Sequence, residues 1–463
     1  MKLNEYQAIL TADLGFGDAG KGSIVDALAR FPGAHTVVRY NGGGQAAHNV
    51  VTPDGRHHTF AQFGSGSFIP DTLTYLSRFM IIQPLSMLAE ERHLHEVGVN
   101  DAFLRMSIDR RALVTSPYQQ SANRIKEMLR GGARHGSCGM GVGETMSDWL
   151  QHGESVLFAG DLPDRSVAME KLRFMRDAKW AEIENSLVGM PLSGELAREV
   201  NVFHDPKLLL ATAEVYQYFA GLVALVDDDY LRRMVHQPGQ IIFEGAQGVL
   251  LDEWYGFHPY TSWSTYTFQN ALTLLEEAGF GGRALKLGLT RAFATRHGAG
   301  PFVSEDGDLS MQIPDHHNGD NPWQRQFRVG HLDYVALRYA LDVIGGVDGL
   351  VVTNLDRIAT QAGWFTCDAY TAPNVEQDLD AHFYTSNGRV TGIRVPQEKT
   401  DLDRQAVLTR LLFEMRPVYR QYENKPAVIL EKISKSLNLP VLITSSGPTA
   451  LEKRYYFDET GSK

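Results

Sequence analysis

The segment at positions 8–28, AILTADLGFGDAGKGSIVDAL, joins a strand-like apolar run to a glycine-rich turn and the start of a helix. Glycines in the turn allow positive backbone φ, because no Cβ obstructs that conformation. A curled backbone at a helix N-terminus directs several N–H groups at one point, which suits a phosphate. The spacing Gly15-x4-Gly20-Lys21 matches the first seven positions of a P-loop, whereas Gly22 stands where Ser or Thr should hold magnesium.

Asp18 lies inside this turn, where a carboxylate would repel a phosphate. The residue makes chemical sense if it binds a cation or removes a proton. An ordinary glycine-rich turn between a strand and a helix is the alternative, and the surrounding pattern favours nucleotide binding over it.

The composition favours a globular protein and argues against several other classes. The 463 residues exceed the usual size of one domain, and 43% hydrophobic with 21% charged residues is typical of a globular protein. A net charge of −11 argues against nonspecific nucleic-acid binding. The two cysteines, Cys138 and Cys367, argue against a disulfide scaffold or a cysteine-rich metal site. We see no signal peptide and no apolar stretch of the roughly 20 residues that span a membrane, so we expect a cytoplasmic location.

Strand-like runs alternate with helix-like segments, a pattern typical of an α/β protein with a largely parallel sheet. Ligands in such sheets bind at the carboxyl ends of the strands. The segment 145–235 is more helical, and we interpret it as an excursion from the sheet. The predicted strands are 8–12, 36–39, 240–243, 285–289, 350–353, 427–430 and 440–444, and the predicted helices include 335–344 and 403–414.

Two glycine-rich segments after predicted strands carry polar side chains. In VVRYNGGGQAAHNVV, three consecutive glycines allow close approach of a ligand, and Asn41 and Gln45 can read its polar edges. His48 in the same segment is either a site residue or a buried structural histidine, and its residue type favours the second. In FEGAQGVLLD, the amide of Gln247 can recognise an amide-like face of a base, although a capped turn explains the segment equally well.

Two further segments indicate anion and base recognition. TRAFATRHGAGPF carries Arg291 and Arg296, whose planar groups either pair with carboxylates and phosphates or lie at the surface without a role. VVTNLD is similar to the guanine-reading turn of GTP-binding proteins, where one carboxylate, here Asp356, accepts two hydrogen bonds that adenine cannot donate. The last predicted strand ends in TSSGP, another polar turn that suits a base pocket.

Taken together, six segments resemble the signatures of the adenylosuccinate synthetase family over nearly the whole chain. That family's WGDEGKGK, VVRYNGGHNAGHT, EGAQG-LLD, TRVGAGPF, TKLD and STGP correspond, in the same order, to FGDAGKGS, VVRYNGGGQAAHNV, EGAQGVLLD, TRHGAGPF, TNLD and SSGP. The resemblance implies one α/β domain spanning 1–463, built around a large, mostly parallel sheet and forming a homodimer. It also implies a GTP- and Mg²⁺-dependent ligation of L-aspartate to C6 of a purine nucleoside monophosphate such as IMP.

The resemblance also implies roles for individual residues. Asp18 matches the general base, which removes the N1 proton of the purine so that O6 attacks the γ-phosphate. Lys21 matches the phosphate lysine, Gln247 the residue beside O6, and the Asp18 carboxylate and Gly43 carbonyl the metal contacts. The implied GTP site comprises Gly17, Gly20, Lys21, Gly22, Asn354, Asp356, Ser445, Gly447 and Pro448. The implied substrate site comprises Asn41, Gly44, Gln45, Ser137, Cys138, Gln247, Ser262, Arg296, Arg325 and Arg328.

The chain departs from the family pattern at the phosphoryl-transfer position. Gly44 replaces a histidine that helps to place the γ-phosphate and the O6 oxyanion. Either Gln45, His48 or a water substitutes for it, or the electrophilic help is missing. Losing one donor aimed at developing charge costs on the order of 10²–10³ in rate.

Other departures concern the amino acid, the base and the substrate phosphate. In the aspartate loop, PWQRQFRVGHLD at positions 322–333, Gln326 replaces an arginine and the neighbouring Arg325 is a candidate substitute. Asn354 replaces the lysine that covers guanine, and the pair Ser137-Cys138 replaces two threonines. The arginine that the family lends from a partner subunit is not evident, and His152 lies near its position.

These departures leave alternatives open. A ligase of the same family acting on dGMP, or on another purine or amino acid, is the first, since phage members of the family act on dGMP. A GTP-binding regulator or pseudoenzyme is the second, which Gly44 favours and which Asp18 and Gln247 oppose. A dinucleotide oxidoreductase fits less well, because the glycine spacing is not G-x-G-x-x-G with an acid roughly 20 residues on.

Overall fold

The computed structural model describes residues 2–131, 136–315, 326–372 and 379–457. The strands are β1 Ala8–Asp13, β2 Ala34–Arg39, β3 His48–Val51, β4 His57–Phe60, β5 Leu73–Leu76, β6 Ile81–Ile82, β7 Met106–Asp109, β8 Leu113–Val114, β9 Ala224–Val226, β10 Gln240–Gly248, β11 Ala284–Arg291, β12 Ala294–His297, β13 Phe327–Gly330, β14 Leu332–Asp333, β15 Gly349–Thr353, β16 Trp364–Thr371, β17 Phe383–Ser386, β18 Arg389–Ile393, β19 Arg416–Tyr422, β20 Val441–Ser445 and β21 Lys453–Tyr455. The helices are α1 Lys21–Ala29, α2 Pro84–Glu96, α3 Pro117–Arg130, α4 Val142–His152, α5 Arg165–Leu187, α6 Gly194–His204, α7 Leu208–Ala220, α8 Asp229–Val235, α9 Gln269–Glu277, α10 Gly307–Gln312, α11 Tyr334–Ile344, α12 Leu355–Ile358, α13 Leu402–Glu414 and α14 Pro426–Leu437.

A ten-stranded sheet forms the centre of the molecule, in the order β21-β20-β15-β11-β1-β10-β2-β5-β7-β9. Its neighbouring strands are parallel, apart from the antiparallel pair β20 and β21 at one edge. A second sheet, β14-β16-β18-β17 with β19 beside β16, lies outside it. The predicted α/β class with a large, mostly parallel sheet is therefore confirmed.

Both faces of the large sheet are covered, as its sequence pattern requires. All six residues of β1 are buried, which is typical of a central strand in a parallel sheet. Because successive side chains point to opposite faces, Ile9 joins the core beneath α1, while Ala8 and Leu10 join the core on the other face. A third core lies among α2, α3, α5, α6 and α7, in the part of the chain around the predicted helical excursion. None of the described helices is long and apolar enough to cross a bilayer.

One predicted strand is wrong. Positions 427–430 belong to α14, which begins at Pro426, a residue whose fixed φ suits the first turn of a helix. Ile429, Ile433 and Leu437 are buried at a spacing of four, which is helical periodicity. The prediction used only four apolar residues, too short a run to reveal that spacing. The other predicted strands and the two predicted helices are present, with ends shifted by a few residues.

Candidate active site

The glycine-rich turn after β1 is built around Asp13, a residue that the sequence analysis missed. Its buried carboxylate accepts hydrogen bonds from the N–H groups of Gly15 at 2.8 Å and Ala19 at 2.7 Å. The Lys21 ammonium lies 3.0 Å from the same carboxylate and donates to the Gly17 carbonyl at 2.5 Å. Asp13 therefore folds the turn back on itself and fixes Lys21 at the start of α1.

The turn is also shaped by close contact with β10. A Cβ on Gly248 would lie 2.1 Å from the Gly15 carbonyl oxygen, so only glycine fits there. The preceding residue, Gln247, has a φ of 45°, and its side chain lies against Gly17. Its Nε2 donates to the Gln45 carbonyl at 3.4 Å. Gln247 is thus placed beside the residue that precedes Asp18.

Gly22, the departure from the P-loop pattern, has a packing explanation. A Cβ at this position would lie 2.8 Å from the His48 Cβ and 2.9 Å from the His48 carbonyl carbon. The N-terminal turn of α1 therefore packs directly on β3, and a serine or threonine would not fit between them.

Asp18 keeps part of its surface open to the cleft beside the turn. Burial raises the pKa of its carboxyl, although the charges of Arg291 and Lys21 oppose this effect. Arg291 also holds the residue through its backbone, because Nε donates to the Asp18 carbonyl. Among the described residues no hydrogen bond reaches the Asp18 carboxylate, which leaves it able to take a proton or hold a cation.

A cleft of about 1020 Å³ lies beside the turn, at the carboxyl ends of β1, β15 and β20. Asn354, after β15, has a φ of 57°, which directs the chain into α12 and places Asp356 in its first turn. The Ser445 hydroxyl donates to the Gly447 carbonyl at 3.0 Å and closes the turn after β20. The cleft brings together Asp18 and every residue of the predicted GTP site: Gly17, Gly20, Lys21, Gly22, Asn354, Asp356, Ser445, Gly447 and Pro448.

A second cavity, of about 1250 Å³, lies between the end of β10 and helices α3 and α4. It brings together six residues of the predicted substrate site: Gln45, Ser137, Cys138, Gln247, Ser262 and Arg296. Gln247 lines this cavity and its side chain lies against Gly17, which lines the nucleotide cleft, so the glycine turn lies between the two cavities. Asp18, the residue after Gly17, lines the nucleotide cleft.

Two predicted substrate residues have their polar groups committed to the protein. Asn41 is buried; its Nδ2 donates to the Thr265 carbonyl at 3.0 Å, and its Oδ1 accepts from the Ala246 N–H at 2.7 Å. Arg296 is fully buried and donates to the Ala299 and Pro301 carbonyls at 3.0 and 2.8 Å. Both side chains hold the loops that form the cavity wall.

The remaining predicted substrate residues lie around the cavity wall or beyond it. Arg328, on β13, lies 2.8 Å from Glu305 and donates to the Gly300 carbonyl at 2.9 Å. Arg325 lies outside the described residues. Gly44 is half-buried next to Gln62 and Met140.

A buried hydrogen-bonded pair, His48 and Glu244, lies beneath the nucleotide cleft. Glu244 on β10 lies 2.6 Å from the His48 Nδ1 and accepts from the Ser65 N–H at 2.9 Å. Burial lowers the pKa of His48 to about 4, against the opposing effect of Glu244. Burial alone would raise the pKa of Glu244, but Arg39 and the hydrogen bonds from His48 and Ser65 bring it down to about 2. A neutral imidazole thus donates to an ionised carboxylate, and His48 remains fixed beside the nucleotide cleft.

This pair predicts a loss of stability in acid. The folded pKa of His48, about 4, lies below its ordinary 6.5, so the unfolded chain takes up a proton first as the pH falls. The free energy of unfolding should therefore fall between about pH 6.5 and 4, and Glu244 should add a further loss below its ordinary 4.5. Urea unfolding at pH 7, 6 and 5 measures the first effect. His48→Asn, which keeps a donor for Glu244 but does not titrate, should show a flatter dependence, and parallel curves for the two proteins would contradict the assignment.

Comparison with known proteins shows the family to which the chain belongs. The family model described as adenylosuccinate synthetase matches residues 12–451. Adenylosuccinate synthetase of Deinococcus radiodurans is 31% identical over 358 residues, which cover 74% of this chain and 78% of that protein. The enzyme of the same name from Cyanothece sp. (strain PCC 7425) is 33% identical over 362 residues, covering 77% of this chain and 76% of that protein.

Two solved structures share the fold over nearly the whole chain. Fully ligated adenylosuccinate synthetase from Plasmodium falciparum has a TM-score of 0.74 and 20% identity, and the match covers 97% of this chain and 99% of that one. Succinoaminodeoxyadenylate synthetase of cyanophage S-2L, bound to dGMP and to dATP as an energy donor, has a TM-score of 0.58 and 15% identity, with 97% and 95% covered. At these identities the structural likeness supports the fold.

Proposed function

Because this chain belongs to the adenylosuccinate synthetase family, we propose that it joins an amino acid to C6 of a purine nucleoside monophosphate at the expense of a nucleoside triphosphate. The substrates that we propose are GTP, an IMP-like monophosphate and L-aspartate. The products are an adenylosuccinate-like nucleotide, GDP and phosphate. The observation that carries the proposal is the Asp18 carboxylate, which has no hydrogen bond from the described residues and lines the nucleotide cleft next to Gly17, against which Gln247 of the second cavity lies.

The proposed reaction has two steps. Asp18 takes the N1 proton of the purine, and the raised pKa of its buried carboxyl makes it a better proton acceptor. O6 then forms a bond to the γ-phosphorus, and the bond from that phosphorus to the β–γ bridging oxygen breaks as GDP leaves. In the second step the amine attacks C6, phosphate departs with the C6–O6 electron pair, and the amine loses a proton.

The other proposed catalytic residues position the reacting groups. The Lys21 ammonium now pairs with the Asp13 carboxylate. When a nucleotide binds, the ammonium can leave Asp13 and bind the phosphates of the nucleotide instead. Gln247 lines the second cavity, so its amide can hold the O6 side of the base. Holding both reactants at one point converts a bimolecular encounter into an intramolecular step.

Asp18 and Gly43, the two predicted metal contacts, offer the donor type that suits Mg²⁺ as a cofactor. The Asp18 carboxylate and the Gly43 carbonyl are oxygen donors, the type that Mg²⁺ prefers, and the described residues contain no cluster of three or more His, Cys, Asp or Glu that would form a complete cage. Such a site suits a cation that is shared with substrate phosphates. When bound, Mg²⁺ would offset the negative charge that gathers during phosphoryl transfer.

We also propose a homodimer that uses the end of α4. Trp149 and Leu150 are 38% and 59% exposed there, close to His152, which lies near the position of the family's partner-lent arginine. Apolar side chains of this size favour burial against another surface. Light scattering on a size-exclusion column measures the mass, and Leu150→Glu should shift it from dimer to monomer.

A panel of substrates tests the proposed reaction. Phosphate release should require a purine monophosphate, a nucleoside triphosphate and an amino acid together. Comparison of IMP with dGMP, GTP with ATP and dATP, and aspartate with other amino acids identifies the physiological set. Release with none of these combinations would remove the ligase assignment and favour a nucleotide-binding regulator.

Asp356→Asn is expected to change the choice of nucleotide. The carboxylate of Asp356 lines the cleft and can accept from both guanine donors, whereas an amide presents one donor of its own to them. Loss of this charge-assisted pair should raise the KM for GTP about 10²-fold and leave that for ATP within threefold. Steady-state kinetics with both nucleotides measures the ratio, and Asp308→Asn, in the first turn of α10, is the matched control. An unchanged GTP-to-ATP ratio would exclude Asp356 as the base reader.

A further inference from the structure

His297 has a buried nitrogen without a partner at the edge of the second cavity. The residue ends β12, and its ring packs on Phe327 with 5.7 Å between ring centroids. Its Nδ1 is inaccessible to solvent and has no hydrogen-bond partner among the described residues. A buried polar atom without a partner costs free energy, so such an atom in a cavity wall indicates a ligand that satisfies it.

The surroundings of His297 indicate which ligand atom that is. His297 lines the same cavity as Gln247 and Ser262. A positive charge on its ring stabilises the ionised carboxylate of Asp18, so the imidazole lies within electrostatic reach of the proposed base. His297 therefore combines an unpartnered ring nitrogen, a place in the wall of the second cavity and proximity to the proposed base.

Position 44 cannot supply an equivalent group. Gly44 has no side chain, and its neighbour Gln62 has its amide committed to Gln83, donating to the carbonyl at 3.3 Å and accepting from the N–H at 2.7 Å. His48 is fixed on Glu244, and its ring lines the nucleotide cleft rather than the second cavity. Gly44 itself therefore contributes no donor to the reacting oxygen, and the unpartnered Nδ1 of His297 is a candidate for that role.

We propose that His297 supplies, from β12, the hydrogen bond to the purine O6 that no side chain at position 44 can provide. The inference rests on the proposed function. As Asp18 takes the N1 proton, negative charge gathers on O6, and the His297 Nδ1–H donates to it while the bond from O6 to the γ-phosphorus forms. The Nδ1 proton stays on the imidazole, the N1 proton stays on Asp18, and the electron pair of the broken phosphorus–oxygen bond leaves with GDP.

Paired substitutions at position 297 test this role. His297→Val should lower kcat about 10²-fold, with the KM for the purine monophosphate and the affinity for GTP within threefold of wild type. His297→Asn, whose amide N–H occupies the place of Nδ1, should keep kcat within about tenfold of wild type. The melting temperature and the GTP affinity of both variants show whether either substitution disturbs folding. A lower melting temperature or a weaker GTP affinity in both variants would overturn the proposal.

A rescue at position 44 makes the test sharper. The nearest atoms to a Cβ on Gly44 would be those of Met140 at 3.5 Å and Gln62 at 3.6 Å, which is ordinary contact, so a Cβ fits there. Gly44→His should restore kcat about tenfold in the His297→Val background. A His297→Val enzyme with kcat within threefold of wild type, or a loss that Gly44→His does not restore, overturns the proposal. If the wild-type protein has no activity on any purine monophosphate, the proposed function is wrong, and the proposed role of His297 is then wrong as well.

Discussion

Asp18→Asn is expected to lower kcat for phosphate release about 10³-fold while leaving the affinity for GTP, measured without Mg²⁺, within threefold. Asparagine has nearly the same shape as aspartate, but its amide cannot accept the N1 proton. The carboxylate has no hydrogen bond from the described residues, so its replacement disturbs little of the turn that Asp13 and Lys21 hold together. Pre-steady-state phosphate release measures the chemical step, and calorimetric titration with GTP measures binding.

Asp26→Asn is the matched control for this experiment. Asp26 lies on α1, only eight positions after Asp18, and burial raises the pKa of its carboxyl as well. It pairs with Arg30 at 2.9 Å and lines neither cavity. The control variant should keep kcat within threefold of wild type. An Asp18→Asn enzyme that retains more than a tenth of wild-type kcat would exclude Asp18 as the base.

The glycine turn and the central strands were predictable because their constraints are local. The turn needs glycines and a lysine at fixed spacing after a buried strand, and this spacing can be read directly in residues 8–28. The parallel order of the strands then brings the turn, Asn354 and Ser445 to one edge of the sheet, as expected for the carboxyl ends of such strands. The parallel order of the strands therefore explains why the predicted GTP residues lie around one cleft.

Other parts of the site depend on contacts that the sequence does not display. Glu244 meets His48 across 196 positions, and nothing in either segment alone predicts the pair. Asn41 and Arg296 are residue types that suit a phosphate, yet their polar groups satisfy backbone groups of neighbouring loops. Burial and hydrogen-bond partners arise only when distant segments pack together, so sequence patterns name such residues without establishing what they contact.

Glu244→Ala is expected to lower the free energy of unfolding by about 3–5 kcal/mol, the range found when a buried charge, here Arg39, is left without its opposite charge. The carboxylate is fully buried and accepts from His48 and Ser65. Without it, the completely buried Arg39 would lose the negative charge that faces it, since its Nη1 donates only to the Phe63 carbonyl. Urea unfolding followed by circular dichroism measures the loss.

Glu244→Ala should also weaken GTP binding, because His48, which Glu244 holds, supports the start of α1. Its Cβ lies against Gly22, so release of the ring from Glu244 loosens the turn that carries Lys21. Glu5→Ala is the matched control: its pair with Arg283 lies 44% and 60% exposed, and breaking such a surface pair costs less than about 1 kcal/mol. If Glu244→Ala and Glu5→Ala lose the same free energy of unfolding, burial does not strengthen the interactions of Glu244. A larger loss for Glu244→Ala, with weaker GTP binding at temperatures where it remains folded, would link the buried charge to the shape of the phosphate turn.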